Sequence, residues 1–156
     1  MHPRFSCLLA ITLSLAGCET LEMKNAQSAR LAMDLAIRNE TPGDYFIGRR
    51  YYKQDYKFWG WVRRPGQPWA TAKLVMMNEQ TKLAPDREQG KLGTDNNTEY
   101  KLIGELSDQP VYEPASNGFY PEFTLKGYEI RSVSPANIFK TPGATDPARR
   151  VIAHPY

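Results

Sequence analysis

Apolar and polar positions change their spacing twice along the chain. After the short basic opening Met1-His2-Pro3-Arg4, residues 5–15 form an apolar run with no charged side chain. That run is well short of the ~20 residues a helix needs to span ~30 Å of hydrocarbon. Over residues 21–38, Ala26, Ala29, Met33, Ala36 and Ile37 recur at three- and four-residue intervals, and Leu31 and Leu35 widen the stripe. Glu22, Lys24, Arg30 and Asp34 occupy the remaining surface, so the spacing predicts one helix. Thr41-Pro42-Gly43 ends it, because proline has no N–H to donate and restricts the residue before it. The competing reading of the same residues is an unstructured tether. From residue 45 onward the period shortens, and aromatic and β-branched runs predict strands at 45–52, 57–63, 72–78, 99–106, 111–113 and 123–132. Turn residues separate them at Arg64-Pro65-Gly66-Gln67-Pro68 and Glu113-Pro114-Ala115-Ser116-Asn117-Gly118. The stretch 85–98 reads as a long charged loop, either a mobile insertion or a functional flap.

Gly48, Gly60, Gly104 and Gly127 each fall near the middle of a predicted strand. Glycine weakens a flat strand, so its repeated use there marks bends or bulges. Five or six such strands resemble a small OB-fold or SH3-like barrel. The expected fold is therefore mainly β: a small, strongly bent antiparallel barrel over residues 43–140, preceded by one N-terminal helix. Residues 141–156, rich in proline and glycine, are expected to be extended or disordered. This resemblance is architectural and brings no function with it.

The charge-then-apolar order of residues 1–17 is that of a secretory leader. Directly after the apolar run, Leu15-Ala16-Gly17-Cys18 resembles the lipobox of bacterial lipoproteins. The resemblance implies cleavage before Cys18, diacylglycerol on its sulfur and an acylated new amine. Residues 18–42 are then a lipidated N-terminus and helical tether. Two or three acyl chains anchor essentially permanently, whereas one alone is marginal. Glu19 in place of aspartate after that cysteine leans toward an outer-membrane address facing the periplasm.

Cys7 leaves with the leader and Cys18 is taken by lipid, so no disulfide is available to the remaining domain. A net charge of +3 is too small to imply a nucleic-acid partner. Its distribution is uneven: residues 43–73 carry seven basic side chains against Asp44 and Asp55, and residues 79–122 carry nine acidic ones against Lys82, Arg87, Lys91 and Lys101.

Catalytic chemistry finds little purchase. With His2 in the leader, His154 is the one imidazole left, and there is no HExxH, paired CxxC or glycine-rich phosphate loop. Asp95, Glu99, Glu105, Asp108, Glu113 and Glu122 are numerous enough for an acidic pair, but no spacing singles one out. Asp95-Asn96-Asn97 offers oxygens without the ligand alternation of a calcium loop, so no metal or other cofactor is expected beyond the lipid on Cys18. The most unusual stretch runs over 49–64, where cations and aromatics interleave. Its candidate binding surface is Arg49, Arg50, Tyr52, Lys53, Tyr56, Lys57, Arg63 and Arg64. Outside the cytoplasm its ligand would be cell-wall glycan, a lipid headgroup or an acidic patch on an envelope protein, not nucleic acid. Strand alternation puts Trp59 and Trp61 on one face and Phe58, Gly60 and Val62 on the other, which leaves open that the aromatics are core and the cations a soluble rim. The expected function is a non-catalytic, membrane-tethered binding module; the alternatives are a spacer acting through its helix and a carboxylate-dependent cell-wall hydrolase.

Overall fold

The computed structural model describes the backbone of residues 9–156 and the side chains from Leu21 onward, Glu22 excepted. Residues 1–8 of the leader and the Cys18 side chain lie outside the described residues. A helical unit ends at Ala36, and a second unit comprises Ile37–Tyr156. Helix α1 (Leu9–Arg38) stops where the sequence expects and begins earlier. Leu21, Met23, Leu31 and Leu35 on it are exposed. No described helix is long and apolar enough to cross a membrane.

The second unit is a closed five-stranded barrel: β1 (Phe46–Arg50), β2 (Gly60–Arg63), β3 (Lys73–Asn78), β4 (Glu99–Glu113) and β5 (Gly118–Ser132), with a short helix α2 (Pro85–Glu88) between β3 and β4. Its order is β1-β2-β3-β5-β4. Four seams are antiparallel, but β3 and β5 pair in parallel through Met76–Glu122, Met77–Phe123 and Asn78–Thr124. The small, mainly antiparallel barrel expected from sequence is present, and its one parallel seam arises because the chain crosses over through α2 and the β4 strand before returning beside β3. The predicted runs 99–106 and 111–113 are one strand, because β4 and β5 continue past the barrel as a hairpin in which Pro110 faces Pro121. Two prolines opposite each other need no ladder donor, and the register shifts between Leu106 and Pro110 absorb the irregularity.

Phe46, Trp59, Val62, Val75, Tyr100, Leu102, Phe123 and Leu125 fill the barrel, with Ala84 against them. Phe46 and Phe123 meet edge to face, with centroids 5.1 Å apart. Trp59 is thus inside with Val62, while Trp61 faces out, contrary to simple alternation over 57–63. The reason lies at Gly60, where a Cβ would stand 2.2 Å from the Arg49 carbonyl oxygen. The backbones touch there, β2 starts only at Gly60, and Trp59 belongs to the bend before it.

The outward side of β1 and the bend carries a second apolar layer. Ile47, Tyr51 and Phe58 are buried there together with Ile138 and Phe139 from the segment after β5. Tyr51 donates to the Val151 carbonyl at 2.9 Å and accepts from the Ala153 N–H at 3.1 Å. Residues 141–156 contain no helix or strand, yet they are laid along the barrel by these contacts and by the Phe139–Pro155 bridge. The loop 85–98 is similarly pinned: the buried Asp86 carboxylate accepts from the Gly93 N–H at 2.8 Å, and Asn97 N–H donates to the Arg50 carbonyl at 2.9 Å.

Candidate functional site

Four of the eight candidate binding residues are buried in the barrel wall. Arg49, opposite Glu99 in the β1–β4 register, bonds its carboxylate at 2.7 Å, the Asn97 side-chain oxygen at 3.2 Å and the Ala136 carbonyl at 3.0 Å. Burial pulls the Arg49 pKa down, against the opposing pull of Glu99. Arg63 engages Glu40, and the Trp69 ring lies between the Arg49 and Arg63 guanidinium groups, 5.3 and 4.5 Å from its centroid. Arg50 pairs with Asp86 at 3.0 Å and Asp95 at 3.4 Å and also donates to the Trp59 carbonyl. Lys53 donates to the Ala144 and Asp146 carbonyls at 2.6 and 2.7 Å. These four residues are only 1–4% exposed. A buried guanidinium or ammonium persists only when most of its donors are met inside the protein, and here the terminal nitrogens tie loops to strands while the Nε atoms of Arg49, Arg50 and Arg63 have no hydrogen-bond partner among the described residues.

The remaining four stay at the surface. Arg64 lies over the Phe46 ring at 3.9 Å and pairs with Asp44. Tyr52, Tyr56 and Lys57 line a cleft of about 430 Å³ whose wall also includes Arg50, Lys53 and Asp86. The structure therefore gathers five of the eight residues around one cleft, with two of its cations already compensated or occupied.

A larger groove, about 610 Å³, opens on the outward face of β2 and β3. Trp61 and Leu74, paired across that seam, form its floor. Lys73 borders it from β3; Ser107, Asp108 and Pro110 from β4; Tyr120 and Pro121 from β5; and His154 from the C-terminal segment. The hairpin and the C-terminal segment are therefore what turn a flat strand pair into a groove. Most of the lining is ring or hydrocarbon, with one cation, one carboxylate, two hydroxyls and one imidazole among it. The imidazole of His154 contacts the Trp61 ring edge-on at 5.2 Å. The Trp61 indole N–H is buried without a hydrogen-bond partner.

Ser107, Asp108 and His154 together invite comparison with a nucleophile and its base. Ser107 Oγ accepts from the Gln109 N–H at 3.1 Å, and among the described residues no hydrogen bond joins His154 to either neighbour. Among the described residues no group of three or more His, Cys, Asp and Glu is placed to hold a metal. Asp86 and Asp95 share Arg50 as their cation.

Sequence reasoning missed this groove because its lining comes from five separate segments. Alternation offered no signal for it, since it placed Trp61 on one face with the core residue Trp59. No protein-family model matches the chain, and no curated protein or solved structure shows significant similarity to it.

Proposed function

We propose that this chain is a non-catalytic lipoprotein of the bacterial cell envelope, tethered by lipid on Cys18, whose barrel binds an envelope glycan. Leu15-Ala16-Gly17-Cys18 after an apolar run supports the tether, and Glu19 supports an outer-membrane address facing the periplasm. The observation that carries the binding reading is the groove over Trp61 and Leu74, set on β2–β3 beneath the β4–β5 hairpin. OB-like barrels, which this small five-stranded barrel resembles, take oligonucleotides and oligosaccharides on their strand 2–3 face, an analogy of fold and not of family. Ring and hydrocarbon walls with a few marginal polar groups suit a sugar chain, which offers flat apolar faces and hydroxyls together. Lys73 opposed by Asp108 is a poor match to a phosphate backbone, which calls for a run of cations.

The test is sedimentation of the detergent-solubilised, lipidated protein with purified cell-wall sacculi. Wild type should pellet with them, and Asp108→Arg with Lys73→Glu should stay in the supernatant while keeping its thermal midpoint. Wild-type protein left wholly in the supernatant would remove the glycan reading.

A second reading, a spacer acting through α1, draws on the exposed Leu21, Met23, Leu31 and Leu35. It requires Leu31→Ser with Leu35→Ser to abolish cellular function while sacculus binding is unchanged.

A further inference from the structure

The β4–β5 hairpin carries aromatic surface beyond the groove. Tyr112 and Phe119 face each other in the register, their ring centroids 5.2 Å apart, and they are 46% and 68% exposed. They lie two residues, about 7 Å, beyond Pro110 and Pro121, which border the groove.

The tip that displays these rings is held in place. The Glu113 carboxylate is wholly buried and accepts from the Ser116 N–H at 2.7 Å and the Ala115 N–H at 3.3 Å. Tyr112 donates to the Asn117 side-chain oxygen at 2.8 Å, and Asn117 itself takes a left-handed φ of 51°. Tyr120 donates to Ser116 Oγ at 3.0 Å. An exposed phenylalanine on a tip with this many cross-links is preorganised surface, not a fraying end.

Charge narrows the occupant. Glu113 is the one ionisable acid or base in residues 109–121 apart from the tyrosines, and its carboxylate is buried and spent on the turn. An uncharged surface has nothing to hold phosphates, and it lacks the lysines or arginines that usually fix a segment to anionic headgroups. A neutral chain of ring-shaped units, already engaged in the groove, is what this surface complements.

We infer that Tyr112 and Phe119 form a stacking extension of the groove, so that the site takes an extended neutral glycan several sugars long and not a mono- or disaccharide. This rests on the glycan reading of the groove.

The experiment measures binding of β-1,4-linked N-acetylglucosamine dimer and hexamer to the lipidated full-length protein in detergent. Wild type should bind the hexamer on the order of tenfold tighter than the dimer. Tyr112→Ala with Phe119→Ala should erase that difference and leave dimer affinity unchanged. Both side chains are exposed, so the variant should keep its thermal midpoint. Equal affinity of wild type for the two lengths, or a variant that keeps the length preference, would overturn the extension while leaving the groove standing. Failure of wild type to bind either oligomer would remove the groove reading and the extension with it. Insertion of a fluorophore at Phe119→Cys into phosphatidylethanolamine–phosphatidylglycerol vesicles, without a glycan length effect, would overturn the extension in favour of membrane contact.

Discussion

Arg63 reaches Glu40 through both terminal guanidinium nitrogens, at 2.6 and 2.8 Å, with the side chains 1% and 6% exposed. Glu40 also accepts from Gly66 N–H at 2.9 Å and pairs with Arg131 at 3.0 Å. One carboxylate thus joins the segment before β1 to the β2–β3 turn and to β5. Breaking such a pair from one side leaves a charge stranded away from water. Arg63→Met should therefore destabilise the barrel by about 3–5 kcal/mol, and Glu40→Gln added to it should recover part of the loss. Urea unfolding followed by tryptophan emission measures both; equal stability of Arg63→Met and wild type would refute the assignment.

The same carboxylate sets an acid limit. Burial alone would raise the Glu40 pKa, but hydrogen bonds from Arg63, Gly66 and Arg131 outweigh it and hold the group below its ordinary 4.5. Glu113 behaves alike: burial raises it, and donors on Ser116, Ala115 and Lys57 bring it below 4.5. A folded pKa under the unfolded one contributes stability that is complete above about pH 4.5 and is lost as pH falls through the folded value. Unfolding free energy should fall on acidification below that point, and Glu40→Gln should show a shallower fall than wild type. Parallel slopes for the two proteins would contradict the depressed pKa.

The four mid-strand glycines are not equivalent. A Cβ at Gly60 would stand 2.2 Å from the Arg49 carbonyl oxygen, and one at Gly104 2.2 Å from that of Thr124, whereas at Gly127 the nearest atom is Ile103 Cδ1 at an ordinary 3.6 Å. Backbone cannot swing aside as a side chain can. Gly60→Ala and Gly104→Ala should each cost about 1–3 kcal/mol or more, and Gly127→Ala should lie within about 0.5 kcal/mol of wild type. Thermal unfolding of the three variants decides it, and a benign Gly60→Ala would disprove the backbone contact.

Those glycines also show how far the sequence carried. Gly48, Gly60 and Gly104 reveal a bent barrel because close approach leaves its mark at single positions, and apolar runs reveal its strands, although 99–106 and 111–113 read as two where β4 is one. The parallel β3–β5 seam left no such mark, since a strand's own residues do not record its partner's direction. The basic aromatic stretch was prominent yet misleading: Arg49, Arg50, Lys53 and Arg63 look solvated in sequence, and only their remote partners Glu99, Asp86, Ala144 and Glu40 explain their burial. The groove was nearly illegible for the same reason, its floor and walls being brought together by the hairpin and by His154 from a segment that sequence suggested was loose.

Lys53 holds that segment from beneath. Its ammonium is buried and donates to the Ala144 and Asp146 carbonyls. Burial lowers its pKa, against a smaller upward pull from Asp146. Lys53→Met should leave two carbonyls short of a donor and speed amide exchange across residues 141–156 while the β4–β5 ladder stays protected. Unchanged exchange in that segment would mean that Tyr51 and the apolar contacts alone secure it.

The three tryptophans allow ligand occupancy to be read by position. Trp59 is in the core, Trp69 lies between two arginines, and Trp61 lines the groove beside His154 with its indole N–H unmet. Saturating β-1,4-linked N-acetylglucosamine hexamer should therefore change the emission chiefly of Trp61. In Trp61→Phe the change should vanish and affinity should drop about tenfold, through loss of ring area. Trp69→Phe, which alters no groove residue, should retain both the signal and the affinity. Should Trp69→Phe lose the response while Trp61→Phe keeps it, the ligand would be bound away from the β2–β3 face and the groove would have to be abandoned as its seat.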